Sequence, residues 1–220
     1  MPKFTVCRES NDDVASTIMS SEIHGRPFEL AGRIAIVVGG DQPVGREVAC
    51  TLGHGGAPIV VAGKAMDHGH RTVEFVRALG GEAGFWNVDV EDESSVRELI
   101  EYTLGEFGKV DIVVLSLPSA DSMSLSKFAS HLQKFDDVVG WQEEDIAIVF
   151  TLPEPLDRAA LESELGQIIE TGNRKGRLWV NAVAGAAATA DGLDKSRLRD
   201  AIGSLVNAAR CRVGGTIVWV

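Results

Sequence analysis

Residues 32–56 read GRIAIVVGGDQPVGREVACTLGHGG, and this stretch decides the fold. An apolar run at 34–38 leads into a glycine-containing turn, and then Val44, Val48 and Leu52 recur at helical spacing. A strand, a glycine turn and a helix in this order open a βαβ unit. Such a turn can hold a phosphate group, because the first N–H groups of the helix and its dipole point towards the turn.

The turn resembles the first βα turn of the short-chain dehydrogenase/reductase family, whose pattern is Thr-Gly-x-x-x-Gly-x-Gly. Val38 stands at the Thr position, Gly39 at the first Gly and Gly45 at the last, but Pro43 replaces the middle Gly. Proline lacks an N–H donor and adds a ring where backbone should approach a pyrophosphate. The fold signal is therefore kept, whereas the cofactor signal is weakened.

The rest of the chain alternates predicted strands and helices. Strands are predicted at 34–38, 59–62, 83–88, 110–115, 176–185 and 216–220, and helices at 44–54, 70–79, 94–107, 156–169 and from 195 onward. The resemblance covers residues 30–220 and implies a Rossmann-type doubly wound parallel sheet of order 3-2-1-4-5-6, with helices on both faces. The segment EEDIAIVFT at 143–151 fits the family pattern less well and receives no strand. A substrate lid, a further helix and a seventh strand should follow residue 220 and are expected to be missing.

Composition limits the classes of partner. The net charge of −11 argues against nucleic acid and anionic membranes, both of which need basic patches. Cys7, Cys50 and Cys211 are far apart, which is typical of reduced thiols in a cytoplasmic protein. No apolar stretch has transmembrane length. Residues 1–29 are expected to be an extension of one domain at 30–220, either with an extended piece at 4–7 or as a disordered arm.

Two more positions match cofactor contacts of the family. Lys64 follows Ala-Gly as the basic residue that would meet the 2′-phosphate of NADP, although a solvated surface lysine is the plainer interpretation. Asp89 begins DVED, which resembles the family's Asp-Val-Thr-Asp and its adenine contact; residues 92–95 are also a good helix N-cap cluster. With Pro43 in the turn, Gly39, Gly45 and Asp89 are interpreted as vestiges, and no cofactor is expected on this chain.

The catalytic residues of the family are expected to be absent. Residues 115–118, Leu-Ser-Leu-Pro, replace Asn-Asn-Ala-Gly, and Gln142 stands for a relay Asn. GRLWVNAVAG at 176–185 resembles the strand that carries the catalytic Ser, but Ala182 and its neighbours lack a hydroxyl. Asp191 and Lys195 occupy the Tyr-x-x-x-Lys positions, and an ionised Asp has no proton to give near pH 7. The single tyrosine, Tyr102, lies in the predicted helix 94–107.

Other chemistry has little support in the sequence. Cys50, His54, His68 and His70 do not have the spacing of a zinc motif, so no metal site is predicted. Ser116 and Ser119 lack the Gly-x-Ser-x-Gly elbow of a hydrolase.

These losses in an intact scaffold predict a non-catalytic subunit of a heteromeric NAD(P)-dependent dehydrogenase of this family, acting on a hydroxyacyl substrate. A catalytically intact family member is the expected partner, in a heterotetramer with NAD or NADP bound to that partner. The two helices that pair subunits in the family correspond to 156–169 and 198–209. Small and apolar residues spread widely around the second helix, as expected for burial by a partner: Ala201, Ile202, Leu205, Ala208 and Ala209. The alternatives are an NADP-sensing regulator and an enzyme with displaced chemistry at Asp191 and Lys195.

Overall fold

A computed structural model describes residues 5–6, 29–116, 145–152, 178–185, 194–210, 214 and 216–219. The described strands form one sheet in which every pairing is parallel. They are β1 Thr5–Val6, β2 Ala35–Val38, β3 Ile59–Gly63, β4 Ala83–Asn87, β5 Ile112–Ser116, β6 Ile146–Leu152, β7 Leu178–Ala184 and β8 Thr216–Trp219. The helices are α1 Pro43–His54, α2 Met66–Ala78, α3 Glu93–Phe107 and α4 Lys195–Arg210. The strand order is β1-β8-β7-β6-β5-β2-β3-β4.

Both faces of the sheet are covered by helices. Every residue of β2, β3, β5 and β6 is buried, which explains their unbroken apolar runs. Apolar residues of α1, α2 and α4 pack on one face, and those of α3 pack on the other. The doubly wound parallel sheet expected from the sequence is thus confirmed.

The strand order reverses between β2 and β5. From β2 the chain moves outward through β3 to β4, and then crosses back by α3 to place β5 on the other side of β2. The two strands are in register from Ala35 opposite Ile112 to Val38 opposite Leu115. Ligands of open parallel sheets bind at the carboxyl ends of the strands at such a reversal. We call this place the switch-point crevice.

The structure adds one strand that the sequence interpretation omitted. β6, IAIVFTL, lies between β5 and β7 with all seven residues buried. A short apolar run that is buried on both faces has no alternation to identify it as a strand, and Pro153 follows directly. The strand at 176–185 was expected beside β5, but β6 occupies that place, so the strand, β7, lies beside β6 in the sheet.

β8 is the seventh strand counted from β2, and α4 precedes it. The expectation that a further helix and a seventh strand are missing is therefore wrong.

The apolar residues of α4 have an intramolecular explanation. Their spread around the helix led us to expect burial by a partner, but the chain itself buries all five. α4 packs against β6, β7 and α1, and the five residues are at most 6% exposed: Ala201, Ile202, Leu205, Ala208 and Ala209. A helix lodged between a sheet and a second helix needs a wider apolar face than a helix on an open surface. The other expected interface helix, 156–169, lies outside the described residues.

Local signals set both ends of α3, but not the start of α2. α3 begins after Asp92, whose side chain accepts a hydrogen bond from the Ser94 N–H (3.0 Å), and it ends at Gly108 with φ 79°. α2 instead begins at Met66, four residues before the predicted start, and Ala65 at its N-cap offers no capping side chain. At the outer edge, β1 pairs in parallel with β8. It thereby joins part of the predicted extension to the sheet.

None of the helices in the described ranges has both the length and the apolar character needed to cross a membrane.

Candidate functional site

The turn after β2 uses its own N–H groups internally. The Gly39 and Gly40 N–H groups both donate to the Ala62 carbonyl oxygen, at 2.8 and 3.1 Å. The Gln42 N–H donates to the Gly39 carbonyl oxygen at 2.9 Å. These three donors therefore hold the turn against β3 and against itself instead of pointing into the switch-point crevice.

Close backbone packing accounts for the two glycines that the resemblance treats as cofactor vestiges. A Cβ atom on Gly45 would overlap the Gly39 carbonyl oxygen, and a Cβ atom on Gly39 would overlap the carbonyl oxygen of Ser116. Gly39 also has φ 76°, which L side chains rarely adopt. The fold needs glycine at both positions whether or not a phosphate binds there.

Pro43 is the first residue of α1. Proline suits this position, because the N–H that it lacks would have no partner within the helix. The same N–H is one of the donors that a helix N-terminus presents to an anion. After Pro43, the first turn of α1 has the N–H groups of Val44, Gly45 and Arg46. The Arg46 N–H donates to the Gln42 carbonyl oxygen at 2.8 Å.

The two other predicted cofactor residues lie together and bind each other. Lys64 Nζ is 2.7 Å from Asp89 Oδ1, at the ends of β3 and β4. The hydrogen bond from Lys64, together with one from the Glu91 N–H (2.9 Å), lowers the pKa of the exposed Asp89 carboxyl group below its ordinary value. The lysine expected for a 2′-phosphate is thus paired with the aspartate expected for an adenine.

A surface pocket opens beside the turn, with a volume of about 320 Å³. Two arginines face it in a protein whose net charge is −11. One of them, Arg46, lies over the Phe75 ring at 5.4 Å from the centroid. The lining residues are Asp41, Gln42, Pro43, Arg46, His68, Arg71 and Thr72.

Three features of the turn are unfavourable for a pyrophosphate. Pyrophosphate binding at a βα turn depends on free N–H donors and on room for close approach. Here the N–H groups of Gly39, Gly40 and Gln42 are bonded internally, Pro43 has none to offer, and the Asp41 carboxylate adds negative charge at the same turn.

Two buried hydroxyl groups lie in the last two residues of the neighbouring strands β5 and β6. Ser116 and Thr151 are opposite each other in the register, so their side chains lie on the same face of the sheet. Among the polar atoms in the described part of the chain, both hydroxyl oxygens are buried without a hydrogen-bond partner. Sequence reasoning missed Thr151, because residues 143–151 received no strand.

The added strand also moves the expected catalytic positions. In the order 3-2-1-4-5-6 the serine-bearing strand lies beside the fourth strand, and β6 occupies that place in the structure. Ala182, on β7, lies one strand too far along. The Tyr-x-x-x-Lys helix would then fall between β6 and β7, at residues 153–177. That segment lies outside the described residues, and its sequence contains no tyrosine.

Lys195 takes part in an ion-pair cluster at the start of α4. Its Nζ is 3.2 Å from Glu47 Oε2 on α1, and an Arg199 Nη is 3.7 Å from Glu47 Oε1. Its expected companion, Asp191, lies outside the described residues, as do Leu117, Pro118 and Gln142. Lys195 therefore joins two helices on the surface of the domain.

Tyr102 is far from the crevice. Its ring stacks on Trp86 of β4, with centroids 4.2 Å apart. β4 is the edge strand, and three strand spacings separate it from β5, about 14 Å. The Tyr102 ring thus lies on α3 beside the edge strand and not at the strand ends that form the crevice.

The described residues contain no cluster of three or more histidine, cysteine or acidic side chains suited to a metal ion. Cys50 is the one thiol among the four residues weighed above as metal ligands, and it is half-buried. Burial raises the pKa of this thiol, and the nearby Glu47 carboxylate raises it further.

The parallel sheet with helices on both faces is a Rossmann-type α/β fold. Residues 33–141 match the model of the family described as short chain dehydrogenase. Residues 33–141 are thus similar to that family.

Two relatives from Escherichia coli (strain K12) illustrate the similarity. The 7alpha-hydroxysteroid dehydrogenase is 33% identical over 87 residues, covering 40% of this chain and 34% of that protein. The 3-oxoacyl-[acyl-carrier-protein] reductase FabG is 26% identical over 166 residues, covering 76% and 65%. The matched regions thus span between one third and two thirds of these relatives. The crystal structure of an Escherichia coli hydroxysteroid dehydrogenase superposes with a TM-score of 0.69 at 20% identity, covering 87% of this chain and 96% of that one.

Proposed function

We propose that this chain is a non-catalytic subunit of a heteromeric, NAD(P)-dependent short-chain dehydrogenase. NAD or NADP and the hydride transfer belong to a catalytically intact partner subunit in this proposal. The observation that carries it is the position of the only tyrosine in the 220-residue sequence, Tyr102, which stacks on Trp86 at the far edge of the sheet.

The chemistry explains why this observation matters. Hydride transfer to a carbonyl group needs a proton donor at the forming alkoxide, and a tyrosine next to a lysine ammonium group performs this task in the resembled family. The buried hydroxyl groups near the ends of β5 and β6, Ser116 and Thr151, are aliphatic and much weaker acids than a phenol. Lys195, which the sequence analysis matched to the family motif, lies on α4 after β7 and is paired with Glu47.

The intact scaffold supports a binding role for the chain. The core is continuous on both faces of the sheet, so the domain offers a stable surface. The packing demands at Gly39 and Gly45 explain how a turn of cofactor-binding type persists without a cofactor.

The substrate class is proposed from resemblance. The chain looks like the non-catalytic subunit of the two-subunit dehydrogenase that acts on a hydroxybenzylsuccinyl-CoA intermediate in anaerobic toluene degradation. We therefore propose a hydroxyacyl-CoA substrate for the complex, a heterotetrameric assembly and a cytoplasmic location. Because α4 buries its apolar residues within the chain, this proposal does not rest on that helix as the interface.

The test is purification from the native host through a tag on this chain, followed by identification of stoichiometric companions. We expect one companion of equal abundance with intact Gly, Ser, Tyr and Lys motifs. The co-purified complex should oxidise a hydroxyacyl-CoA with NAD or NADP, whereas this chain alone should show no turnover.

A matched control replaces Tyr by Phe in the motif of the companion, which should abolish the activity of the complex while leaving it assembled. Recovery of this chain alone as a homo-oligomer would contradict the proposal. Turnover by the purified single chain that is lost on Asp191→Asn would favour displaced chemistry.

A further inference from the structure

Asp41 lies at the centre of the turn after β2, and its carboxylate is turned into the protein. The residue is only 8% exposed. Its Oδ2 accepts a hydrogen bond from the Ala65 N–H at 2.8 Å, across to the loop after β3. Ala65 is the N-cap residue of α2, a helix whose own N-cap side chain makes no capping bond.

Gly63 makes room for this carboxylate. A Cβ atom at Gly63 would overlap the side-chain atoms of Asp41, so a side chain there would push the carboxylate out of its place. Asp41 and Gly63 therefore fit together as a pair, although 22 positions along the chain separate them.

A second bond holds the same turn from α2. Thr72 Oγ1 donates to the Gly40 carbonyl oxygen at 2.7 Å, and this bond is buried. With the bonds from Gly39 and Gly40 to Ala62, the turn is tied to β3, to the loop after β3 and to α2. A turn fastened at three places is poorly able to move aside for a ligand.

We propose that Asp41 serves as an internal anionic ligand that closes the turn, so that the turn joins two βα loops instead of binding a dinucleotide. A pyrophosphate placed at the turn would meet a buried carboxylate of like charge. It would also find Pro43 where an N–H donor is needed. The proposal stands on the described residues alone, so the absence of a companion subunit would leave it intact.

The first experiment titrates the purified full chain with NADH and with NADPH, following tryptophan fluorescence. We expect no saturable change up to about 1 mM, the upper end of ordinary KM values. Saturation at micromolar NADPH would overturn the proposal and would favour an NADP-sensing role. Failure to find a companion in the purification experiment would not affect this titration, because the titration uses the single chain.

The second experiment compares Asp41→Ala with Asp41→Asn by hydrogen–deuterium exchange. Asn keeps an oxygen that can accept the Ala65 N–H, whereas Ala removes it. We expect the Ala65 amide to exchange at least about tenfold faster in Asp41→Ala, since local opening then lacks this bond, and Asp41→Asn to stay near wild type.

Equal protection of the Ala65 amide in wild type and Asp41→Ala would overturn the joining role. If Asp41→Ala fails to fold, the comparison of Asp41→Asn with wild type and the titration of the wild-type chain still decide the matter. Loss of protection in Asp41→Asn would show that the retained oxygen does not replace the carboxylate and would contradict the hydrogen-bond argument.

Discussion

At the residue scale, Asp111 is a buried carboxylate directly before β5. Its oxygens accept hydrogen bonds from Arg33 Nη1 at 2.6 Å and from the Ile34 N–H at 2.9 Å, and Lys109 Nζ lies 3.1 Å away. Asp111→Ala leaves these donors unmatched, and we expect the free energy of unfolding to fall by about 3 kcal/mol. Urea denaturation measures this loss. Asp111→Asn keeps an acceptor for Ile34 and should lose less; equal losses would contradict the role of that acceptor.

In contrast to Asp111, the hydroxyl groups of Ser116 and Thr151 are expected not to stabilise the fold. Each is buried without a hydrogen-bond partner in the described part of the chain, so each opposes folding. Thr151→Val and Ser116→Ala keep most of the shape, and we expect a neutral effect or a gain of about 1 kcal/mol per site in thermal unfolding. A clear loss of stability in either variant would reveal a buried water or another partner at that hydroxyl group.

The Asp89 carboxyl group should titrate in acid at a pKa below its ordinary value, because Lys64 stabilises its charged form. A group whose pKa is lowered by folding contributes stability above its unfolded pKa. That contribution disappears as the pH falls through the lowered value, so we expect no change near pH 7. An NMR titration of the Asp89 carboxyl carbon measures the pKa. Lys64→Met should raise it towards the ordinary value, and an unchanged midpoint would contradict the pairing.

At the scale of elements, Asp92 caps α3 by accepting the Ser94 N–H. Asp92→Ala removes this acceptor, and we expect a loss of about 1 kcal/mol in the free energy of unfolding. Asp92→Asn and Asp92→Ser are the matched controls, because both side chains cap helices well. A loss as large in Asp92→Asn as in Asp92→Ala would mean that charge, and not capping, accounts for the effect.

The same scale shows which helix boundaries the sequence can predict. The ends of α3 carry their own signals, Asp92 and Gly108, and the prediction of 94–107 agrees with Glu93–Phe107. The start of α2 has no local signal, since Ala65 offers no cap and Asp41, 24 residues earlier, supplies the hydrogen bond. A pattern search along the chain cannot find a cap that comes from a distant turn.

At the scale of the whole molecule, β1 covers the outer edge of β8. Uncovered edge strands present free N–H and C=O groups to other chains. Deletion of residues 2–8 should therefore make the protein self-associate with rising concentration, as measured by light scattering after gel filtration. The conservative double variant Thr5→Val, Val6→Ile should behave as wild type. A deletion variant with unchanged mass at all concentrations would show that β1 does not protect the edge.

The candidate site was only partly predictable. Lys64 and Asp89 were each singled out from motif positions, but their mutual ion pair depends on the ends of two neighbouring strands meeting in space. Ser116 and Thr151 were not connected, because the strand that contains Thr151 was not recognised. The wide apolar face of α4 indicated a partner helix, whereas the sheet and α1 cover it.

The sequence by itself determined the doubly wound fold and the presence of a single tyrosine, Tyr102, in residues 1–220. The fold follows from short-range information, because the strand–turn–helix pattern at 32–56 sets the direction of the chain, and the number of tyrosines is read directly from the residues. Only the tertiary structure decided how the polar groups are satisfied. The contacts of Asp41 with Ala65 and of Lys64 with Asp89 join segments more than twenty residues apart, and such contacts arise only when the sheet brings the strand ends together.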